Sequence, residues 1–408
     1  MRQMAKETSN PVQLHMVKGG AVNWADRVSP AVKAIPPSGI RRFFDVAAEM
    51  KDVVSLGVGE PDFQTPWPVR ESGIGLLQQG RTAYSSNQGI LELREEIARI
   101  TQADYGVNYD PVKEVLVTVG VSEGMDLAMR ALLAPGDHVL VPEPCYVSYN
   151  ACVSLAGGVP IPVHTTIETE FRLTVRQLEQ ALTPRTTMLL IGYPNNPTGA
   201  VMTREELIDI ACFAQKHDLL VVSDEIYAKL TYDGEHTCFA SLPGMKDRTI
   251  LLNGFSKAYA MTGWRLGYVM ANADFIAAMN KIHQYTMLCA PVTAQAAALT
   301  ALRECHEDVR NMVAEYDQRR KIMLEGFRGM GLRCFEPKGA FYIFPSIREL
   351  GITSTDFAEK LLMTEKVALV PGGAFGESGE GFLRCSYASS MEKLQIALER
   401  IGRFVAGL

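Results

Sequence analysis

From residue 115 the chain repeats one pattern: a short β-branched or apolar run, then a longer stretch whose apolar positions recur every three or four residues. The runs are VLVTV (115–119), HVLVP (138–142), VPIPV (159–163), TMLLI (187–191), LLVVS (219–223), TILLN (249–253) and LGYVM (266–270). Between them lie stretches such as SEGMDLAMRALL (122–133) and REELIDIACFAQKH (204–217). Seven strands joined by helical crossovers constrain the fold strongly. They predict an α/β domain around a mostly parallel seven-stranded sheet.

After Pro291 the pattern changes. One long helical run reaches about Arg328, short strands follow at 341–345, 367–370 and 382–387, and a last helix starts near Met391. This reads as a smaller α+β domain over residues 291–408, beside a large domain over 51–290. Residues 21–50 carry Pro30, Pro36 and Pro37, cannot form a core alone, and are expected to pack on the small domain; residues 1–20 read as a flexible tail. With 47% hydrophobic and 21% charged residues and a formal charge of −6, the chain has no general electrostatic footprint for nucleic acid. No apolar run approaches the roughly 20 residues of a membrane helix, and the start MRQMAKETSNPVQ lacks the apolar centre of a secretory signal. A cytoplasmic protein is expected. The eight cysteines are scattered without a Cys-x-x-Cys pair, as expected of reduced, buried apolar residues, and no metal site is expected.

In parallel α/β sheets ligands bind beyond the carboxyl ends of the strands. Collecting the polar residues just after each run gives Gly120-Val121-Ser122, Tyr146, Asn196, Asp224 with Tyr227, and Ser256-Lys257 with Arg265. The set holds an anion cradle, an aromatic plate, a carboxylate, a phenol and an amine, which together match pyridoxal 5'-phosphate. Lys257 is the amine. Free lysine has a pKa near 10.4, so an imine at neutral pH needs that value lowered, and burial with the nearby Arg265 would do so. Asp224 ends an apolar run and needs a cationic partner, either a pyridinium nitrogen or a structural one. Tyr227 could donate to the ring's phenolic oxygen or simply be a core tyrosine. Ser122 opens a helix after a strand, an anion site by dipole and geometry, which Ser256 and Arg265 would complete. Tyr146 could stack on the ring or be plain core. Arg384 sits inside the apolar run GFLRCSYA, suited to a bidentate grip on a carboxylate or to a buried ion pair.

Those residues carry a family. SLGVGEPDF, YSSNQGILELREEIA, VTVGVSEG, YPNNPTGAV, SDEIYAKL, GFSKAYAMTGWRLGY and GFLRCSYAS occur in register, and the chain from about Val28 onward resembles class I aminotransferases of the aspartate aminotransferase superfamily (fold type I). It is most similar to the prokaryotic aromatic and aspartate subgroup. The resemblance implies that Lys257 is the Schiff-base lysine and proton shuttle, Asp224 the pyridinium partner, and Tyr227 and Asn196 the phenolic-oxygen partners. It assigns Val121, Ser122, Ser256 and Arg265 to the phosphate cup and Tyr146 to ring stacking. It sends Tyr84 to the phosphate of the neighbouring subunit, hence a homodimer with shared sites, and places Gly59 and Asn196 with Arg384 at the substrate carboxylate. The resemblance also implies that the cis form is adopted at Asn196-Pro197.

Ser122 stands where relatives that favour acidic substrates tend to have lysine, and Tyr146 where many have tryptophan. With Ile40 available to line the substrate side chain, the expected reaction moves an amino group between an aromatic or other apolar amino acid and 2-oxoglutarate. An aspartate aminotransferase and a carbon-sulfur lyase on the same scaffold are the alternatives. A cofactor-binding transcription regulator would need a winged helix, for which the tail is too short.

Overall fold

The computed structural model describes residues 23–36 and 50–408. Residues 50–408 belong to one compact unit. The described residues before it, 23–36, make a 3-10 turn at Trp24–Arg27, opened by the Asn23 side chain accepting from the Ala25 amide, and a helical turn at Pro30–Lys33. The expected tail at 1–20 and half of the expected packing segment 21–50, Ile40 included, lie outside the described residues.

All seven expected strands are present: β2 (Val115–Thr118), β3 (His138–Glu143), β4 (Val159–His164), β5 (Thr186–Gly192), β6 (Leu220–Asp224), β7 (Thr249–Gly254) and β8 (Gly267–Met270), after a short β1 (Val54–Ser55). They form a single sheet in the order β2-β8-β7-β6-β5-β3-β4. Only β8 runs against its neighbours, antiparallel to both β2 and β7. Strands of this sheet read as nearly continuous apolar runs because both faces are covered. Val139 and Val141 face one core while Leu140 between them faces another, and all three are fully buried. Each such side chain contributes about 1.5–3 kcal/mol relative to exposure.

The helices that bear on the site are α1 (Gly120–Leu132), α2 (Arg204–Lys216), α3 (Ala273–Thr286), α4 (Val292–Glu304), α5 (His306–Gly329) and α6 (Met391–Ala406). Helix α2 starts where it does because Thr203 and Glu206 form a reciprocal capping box, which satisfies two amides the helix cannot. The long run expected after Pro291 is divided. Cys305 leaves helical geometry (φ −102°, ψ 28°), so α4 ends and α5 restarts one residue later. Seven of the cysteines are buried or partly buried as expected, whereas Cys212 is exposed on α2; all eight are free.

The C-terminal strands are β9 (Tyr342–Ile343), β10 (Val367–Ala368), β11 (Val370–Pro371) and β12 (Leu383–Ser386). Strand β12 lies between β11 and β9, antiparallel to both, and β10 pairs in parallel with β1. These strands are too short to hold themselves. Aromatic packing does so instead: Phe344 stacks on Phe382 with centroids 5.1 Å apart, and Phe341 meets Tyr342 at 4.9 Å. Among the described residues no helix is long and apolar enough to cross a membrane.

Candidate active site

Adjacent strands β6 and β7 run parallel, so their carboxyl ends bring Asp224 and the loop bearing Lys257 to the same edge of the sheet. Asp224 is buried, and its Oδ2 accepts from Tyr149 Oη at 2.8 Å while Oδ1 accepts from the Ile226 amide at 3.2 Å. Burial pushes this carboxyl up to about 6, against the hydrogen bonds that would lower it. The next residue, Glu225, is bound elsewhere: Ser223 Oγ and the Phe239 amide donate to one oxygen, and His236 pairs with the other at 2.7 Å. Of the two neighbouring acids, only Asp224 has no basic side chain bonded to it among the described residues.

Lys257 is partly buried, and its Nζ donates to the Gly59 carbonyl at 2.6 Å. It lies 5.8 Å from the centre of the Tyr227 ring and 5.7 Å from that of Phe341. Some of the residue's surface is open, yet dense packing around the amine dominates, and desolvation lowers its pKa to about 8, with Arg384 and Arg265 adding to the shift and Glu60 opposing it. Tyr227 Oη shares a 2.8 Å hydrogen bond with Tyr342 Oη. Burial pushes both phenols up, so both remain protonated donors.

Arg384, buried on β12, donates from Nη1 to Asn196 Oδ1 at 3.1 Å and from Nη2 to the Gly57 carbonyl at 2.5 Å. Its guanidinium carbon lies 4.7 Å from the centre of the Tyr342 ring and 4.9 Å from that of Phe375. Its Nε is buried without a partner, and no carboxylate pairs with it among the described residues. The ion-pair alternative left open by the sequence is therefore not what holds it. The Asn196-Pro197 bond is cis, as expected.

At the other end of the constellation, β2 turns into α1 through Gly120, whose φ of +76° suits glycine. A Cβ there would collide with Arg265 Nη2, so the missing side chain lets the guanidinium lie against the opening of the helix. Arg265 is exposed and donates to the Thr262 carbonyl at 3.1 Å; Ser122 is exposed, Val121 partly buried and Ser256 buried. No side chain caps the first amides of α1 from the preceding residue, Val119. Tyr146 sits edge-on to Tyr149, centroids 5.8 Å apart. Tyr84 is 81% exposed. Gly59 is bonded to Lys257, and the carbonyl reaching Arg384 is that of Gly57.

The sequence reading missed Tyr149 and Tyr342. Tyr149 follows the expected stacking tyrosine by one helical turn and looks like any core aromatic. Tyr342 comes from a two-residue strand far along the chain, and nothing local in GAFYIF marks its hydroxyl.

A buried acid, a desolvated amine, an unpaired arginine and a helix opening faced by a second arginine converge at one sheet edge. Such an arrangement suits chemistry on a small anionic amine. The family model of the class I and II aminotransferases matches residues 51–401. The chain is 54% identical over 378 residues to a provisionally named aminotransferase of Bacillus subtilis, covering 93% of this chain and 98% of that one. It is 47% identical over 377 residues to an aspartate aminotransferase of Pyrococcus abyssi, covering 92% and 97%. The crystal structure of an aromatic aminotransferase from Pyrococcus horikoshii superposes with a TM-score of 0.86 at 45% identity, over 90% of this chain and 99% of that one. The chain belongs to the class I and II aminotransferases. It is a transaminase of a family that works with pyridoxal 5'-phosphate.

Proposed function

We propose that this enzyme binds pyridoxal 5'-phosphate at the edge formed by β6, β7 and the start of α1, and moves an amino group from an aromatic or broadly apolar amino acid to 2-oxoglutarate by a ping-pong mechanism. The residues fit the cofactor. Asp224 is a buried carboxyl without a cation, which a protonated ring nitrogen would supply; Gly120 leaves room for Arg265 beside the helix opening, where a phosphate would meet both. When bound, the cofactor supplies an electrophilic carbonyl carbon and a ring that takes up the electron pair left when the substrate's Cα–H bond breaks.

This chain's residues would do the rest. With its pKa near 8, Lys257 Nζ has an appreciable neutral fraction at physiological pH, so it can attack a carbonyl and later accept and return the Cα proton. Asp224, held by Tyr149, would keep the ring nitrogen charged. Tyr227, oriented by Tyr342, and Asn196 would donate to the phenolic oxygen, and Tyr146 would cover a ring face. Val121, Ser122, Ser256 and Arg265 would hold the phosphate. Arg384, with Nε still free, would grip the substrate carboxylate, with Gly59 and Asn196 beside it. Ile40 is proposed for the apolar side of the pocket. The exposed Tyr84 would serve the site of a second copy, making the enzyme a homodimer with shared sites. Residues 291–408 would act as the small domain against 51–290, and the enzyme would work in the cytoplasm.

The observation that carries this reading is Lys257, an amine shifted toward neutrality beside an arginine with no acidic partner. The test is direct. The purified protein should be yellow, borohydride should fix the cofactor on the peptide containing Lys257, and a panel of amino acids with 2-oxoglutarate should give glutamate; a label on another lysine, or pyruvate and ammonia from β-substituted donors, would overturn it.

A further inference from the structure

One buried polar pair lies outside every role assigned so far. His283, on α3, is 0% exposed, and its Nδ1 meets Glu123 Oε1 at 2.6 Å; the Glu123 side chain is itself only 8% exposed. Glu123 belongs to the first turn of α1. Its second oxygen accepts from the amide of Val119, the residue at the helix's own N-cap, at 2.5 Å. The histidine's other nitrogen, Nε2, is buried without a partner, so the bond to Glu123 is the one polar contact its ring makes among the described residues.

A carboxylate here suits the helix dipole, yet it stands beside the place where a phosphate would bind. A helix N-terminus attracts anions, and its first amides await acceptors. A carboxylate in the first turn is therefore a built-in competitor for any phosphate at Gly120, Val121 and Ser122, and a like charge that repels one. Here both oxygens are committed, one to the Val119 amide and one to His283, and neither is bonded to those three amides. We infer that His283 is a positioning residue of the phosphate cup: it tethers Glu123 on Val119 so that the opening of α1 is left to the cofactor's phosphate. This rests on the pyridoxal-phosphate reading above.

The test compares ligands with and without the phosphate. The full-length protein is stripped of cofactor and titrated with pyridoxal 5'-phosphate and with pyridoxal, following absorbance, with inorganic phosphate as a competitor. His283→Phe, which removes the donor but keeps the ring, should weaken pyridoxal 5'-phosphate by about tenfold or more, the worth of one charge-assisted contact, while pyridoxal binds unchanged; His283→Asn, whose amide nitrogen can stand in for Nδ1, should keep most of the affinity. Adding Glu123→Gln to His283→Phe should restore most of the loss, because a neutral amide carries no charge to repel phosphate and competes less for the amides. Equal weakening of both ligands, or no rescue in the double variant, would show a merely structural histidine. If His283→Phe does not fold, His283→Leu takes its place: a loss confined to the phosphorylated ligand and rescued by Glu123→Gln supports the inference, and equal losses or no rescue overturn it. Failure of the unmodified protein to bind pyridoxal 5'-phosphate at all would instead strike the reading beneath it.

Discussion

Lys257 and Arg384 are both cations set in apolar surroundings, and the two regions treat that charge in opposite ways. At the end of the seven-stranded sheet, desolvation brings Lys257 down to about 8, so the side chain can give up its proton and react. On the three-stranded sheet, Arg384 keeps its charge, because a guanidinium is not deprotonated in proteins. It is held by a side-chain amide oxygen and a backbone carbonyl, with ring faces around it. One region has been built to lose a charge and the other to wait for an opposite one. A transamination site needs both: an amine that is a base, and a fixed cation that orients the substrate.

The sharpest way to break that contrast is Lys257→Ala. If Lys257 is the proposed covalent anchor and proton shuttle, its loss should lower kcat by about four decades or more, with the borohydride label gone. Cofactor-free protein tests the lowered pKa directly. Its reaction with pyridoxal 5'-phosphate should rise with pH around a midpoint near 8, well below ordinary lysine. Between about 8 and about 10.4 the unfolded chain binds the proton that folded Lys257 has shed, so stability should rise with pH across that window. Lys257→Met should abolish that rise in chemical denaturation, and an unchanged slope would mean the amine is not desolvated.

Next in size is Asp224→Ala. Removing one partner of a buried charge pair costs roughly 3–5 kcal/mol, about two to four decades in rate at roughly 1.36 kcal/mol per decade, with the melting temperature of the cofactor-free protein little lowered. Near-normal turnover would exclude Asp224 as the ring's partner.

On the other side of the comparison, Arg384→Lys keeps the charge but loses the planar fork. The expected loss in kcat/KM is about ten- to a hundredfold, from a charge-assisted contact of roughly 1.5–3 kcal/mol. Equal losses for amino acids and for the corresponding amines without a carboxylate would show that Arg384 does not hold that group.

The smallest effect is expected from a cation added where neither region has one. Ser122→Lys should shift the ratio of kcat/KM for aspartate over phenylalanine upward by about tenfold. Aspartate preferred by the unmodified enzyme would mean that another basic residue already supplies that charge.

The sequence by itself determined the seven strands, because residues buried on both faces of a parallel sheet must be apolar along their whole length, and such runs are visible without a structure. It also marked Lys257, Asp224, Tyr227 and Arg384, since a polar residue ending or interrupting an apolar run is conspicuous and the aminotransferase motifs occur in order. The tertiary structure decided what those residues touch. Arg384 could have been an ion pair from its fragment alone; only the packing of β12 against residues 57 and 196 shows that no described carboxylate reaches it. Tyr149, Tyr342 and His283 left no readable signal, because each is hydrogen-bonded to a partner far off in the chain, 75, 115 and 160 residues away. Local pattern encodes which face a residue takes, whereas contacts between elements are fixed by how their faces meet.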